Sequence, residues 1–218
     1  GGASSMNPFT ENLSVRVPAP AGAELALEAR FARVGAGPGA VVAPPHPMYG
    51  GTLGNPVVTA TAEGLQRCGI ATLLFNYRGI EGSEGEVTDE LEAAVSDYRA
   101  AFGELRSRAT GPHIAAGYSF GAGTALLSSC DDADVLGVVL IAPPVGMLRA
   151  EDLEAFRGRV LVLVGDDDDY APLSELKARL AARSDAVLDV IAGADHFFHF
   201  GGLSAISARV AQHVRSWL

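Results

Sequence analysis

The sequence predicts an α/β domain: a mostly parallel eight-stranded sheet with helices on both faces. Two alternating segments at the start read as antiparallel strands, and from there short apolar runs alternate with helix-length segments. The run Ala40-Val41-Val42-Ala43 is apolar throughout, which implies cover on both sides of the sheet. No repeat, low-complexity tract or linker divides the 218 residues, a length that suits one domain with a substantial core.

Taken in order, Gly1-Gly2-Ala3-Ser4-Ser5 reads as an expression scar ahead of a natural start at Met6, so the domain is expected to span 6–218. Leu13–Val17 and Glu24–Phe31 are the first two strands. In the second, Leu25, Leu27, Ala29 and Phe31 alternate with polar neighbours and leave one face wet. Pro18-Ala19-Pro20-Ala21-Gly22 is the turn between them. The third strand is Ala40–Ala43. Further strands are expected near Ile70–Phe75, His113–Ala116, Val135–Ile141, Val160–Val164 and Ala186–Ile191. Helices are expected near Pro56–Arg67, Glu90–Leu105, Phe120–Ser129, Leu173–Arg183 and Leu203–Trp217. The segment Ala142–Ala150 can form a lip but is too short for a cap domain, so the pocket should be open.

The formal charge of −10 argues against nucleic acid and against anionic membrane surfaces, both of which need basic protein. No apolar stretch approaches membrane-spanning length and no leader precedes the first strand, so a soluble, cytoplasmic protein is expected. Cys68 and Cys130 show no CxxC spacing and read as packing residues. No metal-ligand cluster and no cofactor motif is apparent, which leaves a small molecule as the expected partner. Monomer and homodimer remain open.

The chemistry concentrates at Gly117-Tyr118-Ser119-Phe120-Gly121, a G-x-S-x-G between an apolar strand and a helix. That is the nucleophile-elbow pattern, in which a sharp turn exposes the Ser and its neighbours must be tiny to avoid collision. A Ser hydroxyl needs a base to take its proton, an acid to orient the base, and N–H donors for an oxyanion. In a parallel sheet, those groups belong on loops at the carboxyl ends of the strands. Asp166, Asp167, Asp168 and Asp169 all follow the strand Val160–Val164, and most of them should be solvated turn residues capping the next helix. After the last strand comes Gly193-Ala194-Asp195-His196, where His196 is the candidate base and His199 faces the wall or solvent. The oxyanion donors are expected to be the N–H groups of Phe120 and of Met48, with Tyr49 behind it, because Pro47 has no N–H. His46 is read as a brace for that loop. Arg78 either meets an acidic substrate group or pairs with Glu81, Glu86 or Asp89. His113 begins the elbow strand at its far end and reads as structural, and Trp217 closes the last helix onto the core.

The chain resembles the small, lidless α/β-hydrolases of the bacterial carboxylesterase type, related to the dienelactone-hydrolase-like group. The resemblance rests on His46-Pro47-Met48-Tyr49-Gly50-Gly51-Thr52, Asn76-Tyr77-Arg78-Gly79 with Gly82-Ser83-Glu84-Gly85, Gly117 to Ala122, and the loops Gly165–Pro172 and Gly193–Phe198. It implies the α/β-hydrolase fold without a cap domain. It also implies Asp168, four residues before Pro172, as the acid and His196 of G-x-x-H-F-F as the base. Dienelactone hydrolases use a Cys nucleophile; Ser119 stands here instead and favours ordinary ester cleavage.

The expected function is therefore hydrolysis of short-chain carboxylic esters through an acyl-enzyme on Ser119, His196 and Asp168. Tyr49, Tyr118, Met147, Leu148, Phe197 and Phe198, with Met48, are the candidate walls of an apolar acyl slot. A thioesterase, peptidase or acyltransferase could use the same three residues, and a non-catalytic binding protein could keep the fold without using them.

Overall fold

The computed structural model describes residues 9–18, 22–199 and 201–218. The expected scar at 1–5, Met6, and positions 19–21 of the first turn lie outside the described residues.

The first two strands, β1 (Phe9–Pro18) and β2 (Glu24–Arg33), form an antiparallel ribbon paired along its whole length, Phe9 opposite Arg33 and Pro18 opposite Glu24. The rest of the chain winds β3 (Gly39–Ala43), α1 (Pro56–Gln66), β4 (Ala71–Phe75), α2 (Leu91–Arg108), β5 (His113–Tyr118), α3 (Phe120–Ser129), β6 (Val135–Ile141), α4 (Ala150–Ala155), β7 (Arg159–Asp167), α5 (Leu173–Leu180), β8 (Val187–Asp195) and α6 (Gly202–Arg215). The sheet order is β1-β2-β4-β3-β5-β6-β7-β8, with β1 and β8 at its edges and every pairing from β4 to β8 parallel.

Successive residues of a strand face opposite ways, and β3 shows why its run has no polar position. Val41 and Ala43 enter one core with α2, α3, α4 and α5, while Ala40 and Val42 enter the other with α1 and α6. Trp217 joins the second core and lies against Gly137 of β6, as expected of a residue closing the last helix. His113 is also structural: it is buried, and its Nδ1 accepts the Gly39 N–H at 3.0 Å.

Several boundaries differ from the sequence reading. β1 starts at Phe9 because the backbone ladder continues through Thr10, Glu11 and Asn12, whose exposed side chains carry no apolar signal. β7 and β8 run on to Asp167 and Asp195 through an irregular register, beyond the point where apolar residues stop. The six-residue α4 was not expected, being too short to show a helical period. Between β6 and β7 it joins only a 3₁₀ turn, Val145–Met147, and the described residues hold no cap there. Among the described residues, no helix is long and apolar enough to cross a membrane.

Arg78 finds a partner that sequence proximity did not suggest. Its guanidinium holds the Asp97 carboxylate of α2 through contacts of 2.8 to 3.3 Å, and its backbone N–H adds a bond of 3.0 Å. The expected partners Glu81, Glu86 and Asp89 are thus replaced by an acid nineteen positions along the chain. The Asp97 side chain is 1% exposed, so removing the guanidinium strands a buried charge. Arg16 and Glu24, 3.8 Å apart, are 69% and 60% exposed. Arg78→Met should therefore cost about 3 kcal/mol in urea unfolding, whereas Arg16→Met should change stability by less than about 1 kcal/mol.

Candidate active site

Ser119, Asp168 and His196 are each the first residue beyond a strand: β5 ends at Tyr118, β7 at Asp167 and β8 at Asp195. Because β5 to β8 run parallel, all three emerge at one edge of the sheet. There the Ser119 hydroxyl lies 3.0 Å from His196 Nε2, and His196 Nδ1 lies 2.7 Å from Asp168 Oδ2. A carboxylate only accepts, so Nδ1 carries the imidazole proton and Nε2 is left to accept from the hydroxyl. The second Asp168 oxygen accepts the N–H groups of Tyr170 (2.8 Å) and Ala171 (2.9 Å). The carboxylate is thus fully engaged and buried, with no freedom to rotate away from the ring.

The other three acids are exposed, as expected, but Asp166 and Asp167 end β7 rather than lying in a turn, and no side chain caps α5. Asp166 ties the two loops together by accepting the Gly193 N–H at 2.8 Å. Asp167 lies opposite Asp195 across the last pair of strands. Asp195 in turn accepts from the exposed imidazole of His199 at 2.7 Å.

The elbow is a collision avoided. Ser119 sits at φ 54°, ψ −119°, outside the regions that a side chain favours. A Cβ on Gly117 would lie 2.1 Å from the Gly121 carbonyl oxygen, and one on Gly121 would lie 2.4 Å from that of Pro44. Both glycines are therefore required by contact with backbone that cannot yield.

Tyr118 is not a pocket wall. It is buried, and its hydroxyl donates to the His196 carbonyl at 2.8 Å, fastening the elbow to the loop that carries the imidazole. Burial, reinforced by the charges of Asp168 and Asp195, pushes its phenol well above the ordinary value and keeps that proton in place.

The other expected pocket residues divide. Leu148 and Phe198 belong to the core, because their side chains turn inward, and Met147 packs onto Gly123 of α3. Met48, Tyr49 and Phe197 are exposed by 55%, 87% and 54%. Tyr170, passed over as one member of an acidic loop, stands 4.7 Å from the His196 ring. Its only sequence signal is its place two residues after Asp168.

The two expected oxyanion donors differ in how they are engaged. The Phe120 N–H opens α3 and has no acceptor among the described residues. The Met48 N–H, however, donates to His46 Nδ1 at 3.1 Å, and the Tyr49 N–H donates to the His46 carbonyl at 3.1 Å. Both are used to close the 3₁₀ turn Pro47–Tyr49. His46 is the brace that was expected. Burial holds its pKa below 6.5 against the pull of Asp89, which favours the neutral ring that can accept. Its ring lies 4.5 Å from that of Phe120, placing this turn beside the elbow.

Among the described residues, no group of three or more His, Cys, Asp or Glu is arranged to hold a metal ion. A cleft of about 970 Å³ lined by residues such as Arg16, Glu92, Arg99 and Asp131 shares no residue with the hydrogen-bonded chain.

A family profile described as serine aminopeptidase, S33, matches residues 57–150, the stretch that contains the elbow. An alpha-beta serine hydrolase homologue from Coxiella burnetii superposes with a TM-score of 0.80 at 28% identity, covering 94% of this chain and 97% of its own. The chain has the α/β-hydrolase fold. A serine hydrolase without lid from Xanthomonas campestris agrees at a TM-score of 0.79 and 26% identity, over 95% of both chains. A dienelactone hydrolase from Anabaena variabilis, at 20% identity and a TM-score of 0.74 over 97% of both, shares the fold.

In this fold the tightness of the elbow should be measurable. Gly121→Ala is expected to destabilise by about 1–3 kcal/mol through overpacking against β3. Gly103→Ala, in open space on the exposed face of α2, should stabilise by about 0.5–1 kcal/mol. Urea unfolding of both variants reads the difference. Tyr118→Phe should lower stability by about 1–2 kcal/mol because the His196 carbonyl loses its donor. An unchanged midpoint would show that the bond contributes nothing.

Proposed function

We propose that this hydrolase cleaves carboxylic esters through an acyl-enzyme on Ser119. The observation that carries the reading is the continuous chain from the Ser119 hydroxyl through both nitrogens of His196 to Asp168, at 3.0 and 2.7 Å. His196 Nε2 takes the hydroxyl proton as Ser119 Oγ bonds to the acyl carbon. The carbon–oxygen bond to the leaving alcohol then breaks, and the imidazolium returns the proton to that oxygen. Water, deprotonated by the same nitrogen, releases the carboxylic acid and restores the hydroxyl. Asp168 holds the tautomer that lets Nε2 act as the base.

The oxyanion that forms at the carbonyl is received by the Phe120 N–H. Met48 supplies the second donor when its N–H swings from His46 Nδ1 to the substrate. Such a donor is worth about 3–4 kcal/mol in the transition state, more than the roughly 1 kcal/mol of a neutral hydrogen bond, so the exchange is favourable. A site at the open edge of the sheet, without a cap, suits short acyl esters. The same proposal places the protein in the cytoplasm, where Cys68 and Cys130 stay reduced; both are free thiols in the structure.

A second reading is an aminopeptidase, favoured by the family profile across the elbow and by the acidic fringe of Asp167 and Asp195, which could receive a substrate's free ammonium group. Comparing p-nitrophenyl butyrate with aminoacyl p-nitroanilides on one preparation separates the two.

Ser119→Ala is expected to reduce p-nitrophenyl butyrate hydrolysis by at least about 10⁴-fold with an unchanged circular dichroism spectrum. A fluorophosphonate should label the wild type once, at Ser119, and leave the variant untouched. Wild-type turnover in the variant would refute the assignment.

A further inference from the structure

Two exposed rings stand against the imidazole of His196, and the hydrogen-bonded chain makes no use of them. Tyr170 lies 4.7 Å from the His196 ring at an interplanar angle of 43°, and Phe197 lies 5.3 Å from it at 85°. The two rings are 6.3 Å apart and inclined at 79° to each other, so together with the imidazole they form a corner. Tyr170 is 61% exposed and Phe197 54%, so neither serves chiefly to fill the core. Their backbones are nonetheless held firmly. The Tyr170 N–H is bonded to Asp168, and Phe197 lies between His196, whose carbonyl Tyr118 anchors, and the buried Phe198. Exposed rings on a fixed frame bind a partner at low entropic cost.

Their place says which half of an ester they would meet. This step rests on the reading of Ser119 as nucleophile and His196 as base. The carbonyl oxygen points toward the Phe120 N–H, at the start of α3. The oxygen of the departing alcohol must instead approach His196 Nε2, because that nitrogen returns the proton as the carbon–oxygen bond breaks. Side chains packed on the imidazole therefore flank the alcohol, and the acyl chain lies toward the other side of Ser119. We propose that Tyr170 and Phe197 form a leaving-group subsite for a neutral aromatic alcohol, which makes benzyl-type esters the preferred substrate class. The alcohol's ring enters the corner, with an edge-to-face contact to one ring and an offset contact to the other. The exposed carboxylates of Asp166, Asp167 and Asp169 on the adjoining loop disfavour an alcohol that carries negative charge.

The test compares benzyl acetate with cyclohexylmethyl acetate, which share the acyl group and carbon count and release alcohols of similar basicity. They differ in whether the ring is flat and aromatic. The ratio of their kcat/KM values within one preparation does not depend on how much of it is folded. The wild type should favour the benzyl ester by about 5–10-fold. Tyr170→Leu and Phe197→Leu should each reduce the ratio, and the double variant should bring it within about twofold of unity. Tyr49→Leu, on the opposite side of the elbow, should leave the ratio as it is. Were Tyr49→Leu to abolish the preference while the double variant kept it, the rings that matter would be on the acyl side and the proposal would fail. It would also fail if the wild-type ratio were near one while Ser119-dependent hydrolysis of p-nitrophenyl butyrate persisted, an outcome that leaves the esterase reading intact. Loss of all Ser119-dependent hydrolysis would overturn both.

Discussion

One strained residue sets the terms for everything around it. Ser119 at φ 54° occupies a conformation that costs on the order of 1–3 kcal/mol, and such a turn persists only when its surroundings admit no alternative. Here they do not. Its N–H is bonded to the Ile141 carbonyl on the neighbouring strand, Gly117 and Gly121 bring strand and helix into backbone contact, and Gly121 abuts the end of β3. The hydroxyl is thereby held above the sheet, where an imidazole from three strands away can meet it.

The partners of Ser119 are fixed by main-chain anchors rather than by side-chain packing alone. Asp168 is oriented by two peptide N–H groups of its own loop, and the His196 carbonyl is held by the phenol of Tyr118. Since Tyr118 and Ser119 are adjacent, a shift of the elbow would carry the anchor of the base along with the hydroxyl. The distance between them is therefore less sensitive to small movements of β5 than separate supports would make it.

The fold, Ser119 and His196 were legible because they depend on local pattern, whereas the residues alone left four acids open and only the family resemblance pointed to Asp168. The G-x-S-x-G motif between an apolar run and a helix located α3 with the observed ends, Phe120 and Ser129. Chain order and strand ends were enough to single out His196. Whatever depends on direction or long-range partners was not legible. Apolar character marked Tyr118, Leu148 and Phe198 as possible pocket residues but could not say that each turns inward. The Asp97 partner of Arg78 lies on a helix whose position relative to the loop comes only from the assembled sheet. The engagement of the Met48 N–H follows from the rotamer of His46, for which the sequence carries no signal. The polar ends of β7 and β8 continue as strands because backbone hydrogen bonding is indifferent to side-chain polarity.

The two margins of the sheet have a consequence of a different kind. An open sheet offers unpaired peptide groups along its outermost strands, and these can template the addition of foreign chain. β1 turns Glu11 and Arg16 outward and ends in Pro18, while β8 is interrupted by a left-handed Gly193. A newcomer would have to strip water from those charges at β1 and accommodate a break in the ladder at β8. The eight-stranded layer is thus guarded against fibril-like growth at both ends.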